Sequence, residues 1–149
     1  MFGKILTAGT LISTLALLAS VVIQIYGRFF MESAPSWTEE AARVFFIYTM
    51  SFGAGLALRD GEFVQLDILF NSLDERWKKR FRLGFAISTL ILFIVTGVWS
   101  VDYMRMGLNE QSPSMGFSMA IPFAGITVMA IAVSWYSISE MVKLIKGNS

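Results

Sequence analysis

The composition of this chain of 149 residues excludes several classes of function. It contains no histidine and no cysteine, which removes imidazole haem ligation, His-containing catalytic triads, thiol chemistry and most zinc sites. The net charge of +1 does not indicate a nucleic-acid partner, and 55% hydrophobic residues with a mean hydropathy of +0.62 are too apolar for an ordinary soluble domain. We therefore expect a membrane protein without a cofactor or a metal site.

The first predicted element is a membrane span over residues 5–27. This run carries no charge between Lys4 and Arg28 and is long enough to cross a hydrocarbon core of about 30 Å as a helix. A signal peptide is the competing interpretation, because a lysine precedes the apolar run. The run exceeds the usual apolar region of about 7 to 15 residues, and no clear small-x-small cleavage site follows it, so we expect the segment to be retained.

The next feature is the nine-residue segment PSWTEEAAR at positions 35–43. Ser36 followed by Glu39 has the form of a capping box, which predicts that a helix begins here. On that helix Glu39 and Arg43 lie one turn apart and can pair, whereas Glu40 points about 100° away around the axis. Adjacent carboxylates also suggest acid/base chemistry, but we favour the structural interpretation because the chain lacks the usual partners for such chemistry.

The second span is predicted over residues 38–58. Its charge-free part, residues 44–58, would reach only about 22 Å as a helix, which is too short for the bilayer core. The span must therefore include the segment that begins near Ser36. This places Trp37, Glu39, Glu40 and Arg43 at one membrane boundary, with the tryptophan as an interfacial aromatic residue.

Between spans two and three the pattern predicts an amphipathic helix lying in the membrane plane, over residues 65–81. Apolar residues recur at helical spacing and basic residues crowd its second half, next to the anionic headgroups of membrane lipids. A solvated charged loop is the alternative. The third and fourth spans are predicted over residues 83–101 and 118–139, with Pro113 and Pro122 bracketing a loop before the fourth. The predicted fold class is thus all-α, with four transmembrane helices and one in-plane helix.

The distribution of lysine and arginine predicts the orientation of the spans. With four spans, the amino terminus, the middle segment and the carboxy terminus share one side and carry nine of the 12 basic residues. By the positive-inside rule both termini are then cytoplasmic, and the segment 35–43 faces outward.

The predicted spans show no transport site. Ionisable residues buried in mid-membrane commonly mark an ion or substrate path, but here every charge lies at or beyond a span end. Hydroxyl side chains such as Ser51 and Thr96 are expected to bond their own backbone or a neighbouring helix. Small residues at packing intervals, including Ser51 with Gly55 and Gly84 with Ser88, allow close helix contacts either within the chain or with a partner.

A series of short motifs runs along nearly the whole chain. Gln24 and residues 28–30 close the first span, and PSWTEEAAR runs into Phe46. The later motifs are Ala57, Arg59, Gly61, Glu62, Val64 and Asp67, and then Gln111, Ser112 and Pro113 before Pro122.

The order of these motifs resembles the small membrane (Q-type) subunit of TRAP transporters, the tripartite ATP-independent periplasmic systems. Each motif is weak by itself, but their order is specific. One departure is Phe63, where the family usually has a histidine. We expect twelve of these residues to be structural or partner-contact positions: Arg28, Ser36, Trp37, Glu39, Glu40, Arg43, Arg59, Gly61, Glu62, Asp67, Gln111 and Pro113.

The resemblance implies a subunit of a sodium-coupled importer in the bacterial inner membrane. The small subunit would form a stable heterodimer with a large membrane subunit and brace its scaffold, while a periplasmic binding protein would deliver an organic anion, such as a dicarboxylate or sialic acid, in transient contact. A self-sufficient four-helix carrier is the alternative, and it should show a membrane-embedded carboxylate. A membrane enzyme or electron carrier is a third, for which Glu39 and Glu40 are the candidate acids.

Overall fold

Four long helices follow one another along the chain in the computed structural model, which describes residues 2–31, 35–60 and 74–146, without the side chains of residues 75 and 76. Helix α1 spans Phe2–Phe30, α2 spans Trp37–Arg59, α3 spans Glu75–Gly107 and α4 spans Ala120–Lys146. Each is long and apolar enough to cross a membrane, which confirms the predicted class of all-α protein with four transmembrane helices.

Helix α3 differs most from its predicted bounds. It begins at Glu75 rather than at Leu83, so that residues 75–81 form its first turns instead of the end of a separate element. No glycine or proline interrupts the chain between these positions, and lysine and arginine are good helix formers, so the helix continues through the charged turns. Residues 65–73 of the predicted in-plane helix lie outside the described residues, and the in-plane orientation is not confirmed.

The helices pack side by side in a row. In the described part of the chain, the extensive contacts are those of α3 with α4, α1 with α2, and α2 with α4. The spatial order is therefore α1–α2–α4–α3, with α2 and α4 in the middle and α1 and α3 at the two ends. A row of helices buries less surface than a closed bundle, and large apolar side chains such as Ile12 and Leu15 are about two-thirds exposed, at 68% and 67%.

Small residues allow the middle helices to approach closely. A methyl group added at Gly55 of α2 would come within 2.8 Å of Ala132 Cβ of α4, and one added at Gly125 of α4 would come within 2.6 Å of Ile47. The Ser51–Gly55 pair is thus used within this chain. The Gly84–Ser88 pair is not, because a methyl group at Gly84 would have no neighbouring atom within 4 Å.

Hydroxyl groups in the helices bond mainly to the backbone, as predicted. Ser51 donates to the carbonyl of Ile47 at 2.7 Å, and Thr96 donates to the carbonyl of Leu92 at 2.9 Å. One hydroxyl pair, Ser100 and Thr127, joins α3 to α4 at 2.9 Å. These four hydroxyls are bonded inside the protein, whereas the buried hydroxyls of Thr49 and Ser137 have no hydrogen-bond partner among the described residues.

Candidate functional site

The loop between α3 and α4 is a tight, internally bonded structure. Gln111 and Ser118 face each other in an antiparallel bridge, and the Ser112 amide donates to the Phe117 carbonyl at 2.8 Å. Gly116 has a φ of 67°, a left-handed conformation that favours glycine, and its amide donates to the Ser112 carbonyl at 3.0 Å. Pro113 lies at the exposed tip of this loop. The sequence predicts a loop at this position, between Pro113 and Pro122.

The carboxylate of Glu40, in the first turn of α2, holds this loop. Its Oε2 atom accepts a hydrogen bond from the Ser112 hydroxyl and further bonds from the amides of Ser114, at 3.3 Å, and Met115, at 3.2 Å. We call these four residues the Glu40 clamp. The serine hydroxyl also accepts from the Met115 amide at 3.2 Å, and Ser112 is only 3% exposed.

In the Glu40 clamp, the carboxylate accepts hydrogen bonds from donors of the protein itself. A carboxylate that accepts several hydrogen bonds in the anionic form is stabilised as an anion and positioned as a structural anchor. The arrangement fastens the loop to the start of α2. It supports the structural interpretation of the adjacent carboxylates, although the residue that makes the long-range contact is Glu40 rather than Glu39.

The capping box predicted at Ser36 is wrong. Ser36 precedes α2 but has helical dihedrals, with φ −62° and ψ −27°, and its side chain makes no capping bond. A capping side chain reaches the amides of the first turn from an extended backbone, which Ser36 does not have. Instead the Ser36 carbonyl accepts from the Ser114 hydroxyl at 3.3 Å, and the buried Thr38 hydroxyl donates to the Pro35 carbonyl at 2.7 Å.

The predicted pair of Glu39 and Arg43 is present but lies at the surface. Their charged atoms are 3.7 Å apart, and the arginine and glutamate side chains are 64% and 67% exposed. Trp37 is partly exposed beside them, at 42%. Arg28, at the end of α1, is exposed, and within the described residues the structure does not bring it into an ion pair with Glu39.

A second group of contacts joins α1, α2 and α4 at the helix ends that lie opposite the loop between α3 and α4. Arg59 binds Asp60 through two hydrogen bonds, of 2.7 and 2.9 Å, which lower the pKa of the Asp60 carboxyl. Gly3 of α1 lies close to both Arg59 and Tyr136, and Phe2 packs on the Tyr136 ring with centroids 5.9 Å apart. Arg59 is thus part of the packing between α1, α2 and α4.

The predicted site residues are divided between these two ends. Ser36, Glu40, Gln111 and Pro113 lie at or beside the loop of residues 108–119, which we call the loop end, and Arg59 lies at the end that carries both termini, the terminal end. Gly61, Glu62 and Asp67 lie outside the described residues. Sequence reasoning missed Ser112 and Ser114 as partners of Glu40, and the only local signal was their position on either side of Pro113.

A metal centre is not formed by the described residues. No group of three or more aspartate, glutamate, histidine or cysteine side chains comes together among them.

Comparison with known proteins relates the chain to transport systems. The family model described as "Tripartite ATP-independent periplasmic transporters, DctQ component" matches residues 17–147. Two Haemophilus influenzae strain Rd proteins, both described as TRAP transporter small permease proteins, are similar. One is 26% identical over 93% of this chain and 86% of its own length, and the other is 27% identical over 90% and 84%.

A third relative is much longer than this chain. The sialic acid TRAP transporter permease protein SiaT of Haemophilus influenzae strain 86-028NP is 29% identical over 120 residues, which are 78% of this chain but 19% of that protein. The matched region is therefore one part of a longer polypeptide in that relative.

Proposed function

This chain belongs to the DctQ family, the small permease component of TRAP transporters, and from that premise we propose that it braces the large membrane subunit of a sodium-coupled importer of an organic anion. In this proposal the chain has no substrate site of its own. The dicarboxylate and sialic-acid classes are the proposed substrates. The sialic acid transporter among its relatives supports the second class.

The observation that carries the proposal is the combination of charge-free helix middles with broad exposed apolar faces. In the described helices the charged side chains lie near the helix ends, and interior hydroxyls such as those of Ser51, Thr96 and Ser100 are bonded within the protein. A carrier that moved an anion by itself would need polar or ionisable groups along its path. The alternative of a self-sufficient four-helix carrier is therefore disfavoured.

The exposed apolar faces also support the proposed protein partners. The row of helices leaves large apolar side chains exposed on each described helix, which suits packing against a larger membrane protein. SiaT supports such a partner, since the region similar to this chain is joined there to a much longer polypeptide. We propose a stable heterodimer with one large subunit, a transient contact with a periplasmic binding protein, and a location in the bacterial inner membrane with both termini cytoplasmic.

Purification of the tagged chain from its native host in mild detergent tests this proposal. We expect one larger membrane protein of the TRAP permease type to co-purify in equal amount, and an equally abundant tagged membrane protein of similar size serves as the control. A chain that elutes alone or only with copies of itself, in several mild detergents, would contradict the proposal.

A further inference from the structure

Helix α3 carries a groove near its amino-terminal end. The groove has a volume of about 350 Å³ and is lined by Trp77, Arg80, Phe81, Gly84, Phe85 and Ser88. Gly84 forms a notch between the aromatic rings, since a methyl group placed there would meet no atom within 4 Å. We call this feature the Trp77 groove.

The Trp77 groove lies on the side of α3 that faces away from α4. Ala86 and Ser100, which are buried, lie on the side of α3 that packs against α4. At 100° per residue, the face of Gly84 is roughly opposite to that side. Because α3 is at the end of the row α1–α2–α4–α3, no helix of the described chain covers the groove.

One arginine lies at the mouth of the groove. The Arg80 guanidinium lies 5.3 Å from the centre of the Trp77 ring, a cation–π contact that holds it at the rim. Lys79 and Arg82 are exposed, but at 100° per residue they lie on the other side of α3 and do not line the groove. Among the described side chains, no carboxylate forms an ion pair with Arg80, so its hydrogen-bond donors are available to an external anion.

The groove joins a charged rim to an apolar floor, which is the polarity of a lipid leaflet near its headgroups. From Leu83, where the uncharged run of α3 begins, to Ser88 the helix rises about 8 Å, whereas half of a hydrocarbon core is about 15 Å deep. Arg80 precedes the uncharged run, and Gly84, Phe85 and Ser88 lie within it. An arginine binds phosphate through paired hydrogen bonds, and an apolar floor accommodates an acyl chain.

We propose that the Trp77 groove binds one anionic phospholipid of the adjacent leaflet. The phosphate group lies on Arg80, and one acyl chain runs over the Gly84 notch between Phe81 and Phe85. The charge at the rim distinguishes this occupant from an apolar membrane helix, which would bring no anion to Arg80. The inference does not depend on the proposed transport function.

Native mass spectrometry of the full-length chain tests the proposal. The chain is released from nanodiscs containing equal amounts of phosphatidylglycerol and phosphatidylcholine, and the lipids that stay bound are counted. We expect one phosphatidylglycerol per chain to be retained in preference to phosphatidylcholine. The preference should be lost in Arg80→Gln, and the bound lipid should be lost in Gly84→Leu, whose side chain fills the notch.

Two matched variants control for general effects of the substitutions. Arg105→Gln removes an exposed arginine from the other end of α3, and Gly53→Leu adds a side chain at a second glycine with open space around it, in α2. Both should retain the lipid as the unmodified chain does. Ser88→Leu provides a second way to block the groove if Gly84→Leu does not fold.

Several outcomes would overturn the proposal. The first is equal retention of phosphatidylglycerol and phosphatidylcholine, and the second is loss of the bound lipid in the control variants as well. The third is displacement of the lipid by inorganic phosphate, which would show that the apolar floor contributes nothing. A fourth is release of a co-purified large subunit by Gly84→Leu or Ser88→Leu with phosphatidylglycerol retention unchanged, which would show that the groove seats a protein helix.

Discussion

Glu40, in the first turn of α2, accepts a hydrogen bond from the hydroxyl of Ser112 although the two residues lie 72 positions apart in the chain. Among the described residues, the neighbouring Glu39 forms an exposed ion pair with Arg43. The loop end of the protein is therefore fastened by one carboxylate, and its two adjacent glutamates have different roles.

The first prediction concerns the contribution of Ser112 to stability. Ser112→Ala removes a buried hydroxyl that bonds both Glu40 and the Met115 amide, so we expect a loss of about 1 to 3 kcal/mol in the free energy of unfolding. Ser139→Ala is the matched control, since the Ser139 hydroxyl bonds only within its own helix in an exposed position. Melting temperatures of the two variants in the same detergent measure the difference. Equal values would show that the Glu40 clamp contributes nothing to stability.

The second prediction separates a structural from a mechanistic role of Glu40. Glu40→Gln weakens three hydrogen bonds to the loop, so we expect a lower melting temperature and less assembled complex than with Glu39→Gln, whose side chain is exposed. Uptake per assembled complex should stay near that of the unmodified protein in both variants. Full assembly and full stability of Glu40→Gln together with loss of uptake would instead assign Glu40 to the transport mechanism.

The third prediction tests the close contact of α2 with α4. Gly55→Ala places a methyl group 2.8 Å from Ala132 Cβ, and such overpacking costs typically about 1 to 3 kcal/mol. Gly53→Ala is the control in the same helix, because its added methyl group has no neighbour within 4 Å and alanine favours a helix by up to about 1 kcal/mol. We expect the melting temperature to fall in the first variant and to stay level or rise in the second. The reverse order would contradict the packing described here.

The fourth prediction is the orientation in the membrane. The natural absence of cysteine allows single cysteines to be introduced at two exposed positions, Asn109 at the loop end and Lys146 at the terminal end. Because most basic residues lie on the side of the termini, an impermeant maleimide added to intact cells should label Asn109→Cys and leave Lys146→Cys unlabelled until the cells are opened. Labelling of position 146 alone in intact cells would invert the proposed topology.

The number and class of the helices could be predicted from sequence because a membrane span requires a long run of uncharged residues, which is visible in the sequence. Pro113 and Pro122 also marked the loop before α4, which begins at Ala120 with Pro122 in its first turn. The start of α3 was less predictable. Charge density suggested a boundary near Arg82, but helix continuity depends on backbone propensity, and nothing at that position interrupts the helix.

The Glu40 clamp could not be derived in the same way. Helical spacing determines which residues of one helix share a face, so it predicted the Glu39–Arg43 pair correctly. It contains no information about which loop folds against Glu40, since that contact depends on how α2, α3 and α4 pack. The capping box failed for a related reason. The Ser36-x-x-Glu39 spacing is necessary for the motif, but an extended backbone at Ser36 is also required and the spacing does not report it.

We propose that this chain supports a transporter without carrying the solute itself. The most direct test is sodium-driven uptake of a labelled organic anion into proteoliposomes that contain the chain alone, the large subunit alone, or both, each with the periplasmic binding protein present. We expect no uptake above empty liposomes for the chain alone and full uptake only when both membrane proteins are present. Saturable, sodium-dependent uptake by the chain alone would contradict it.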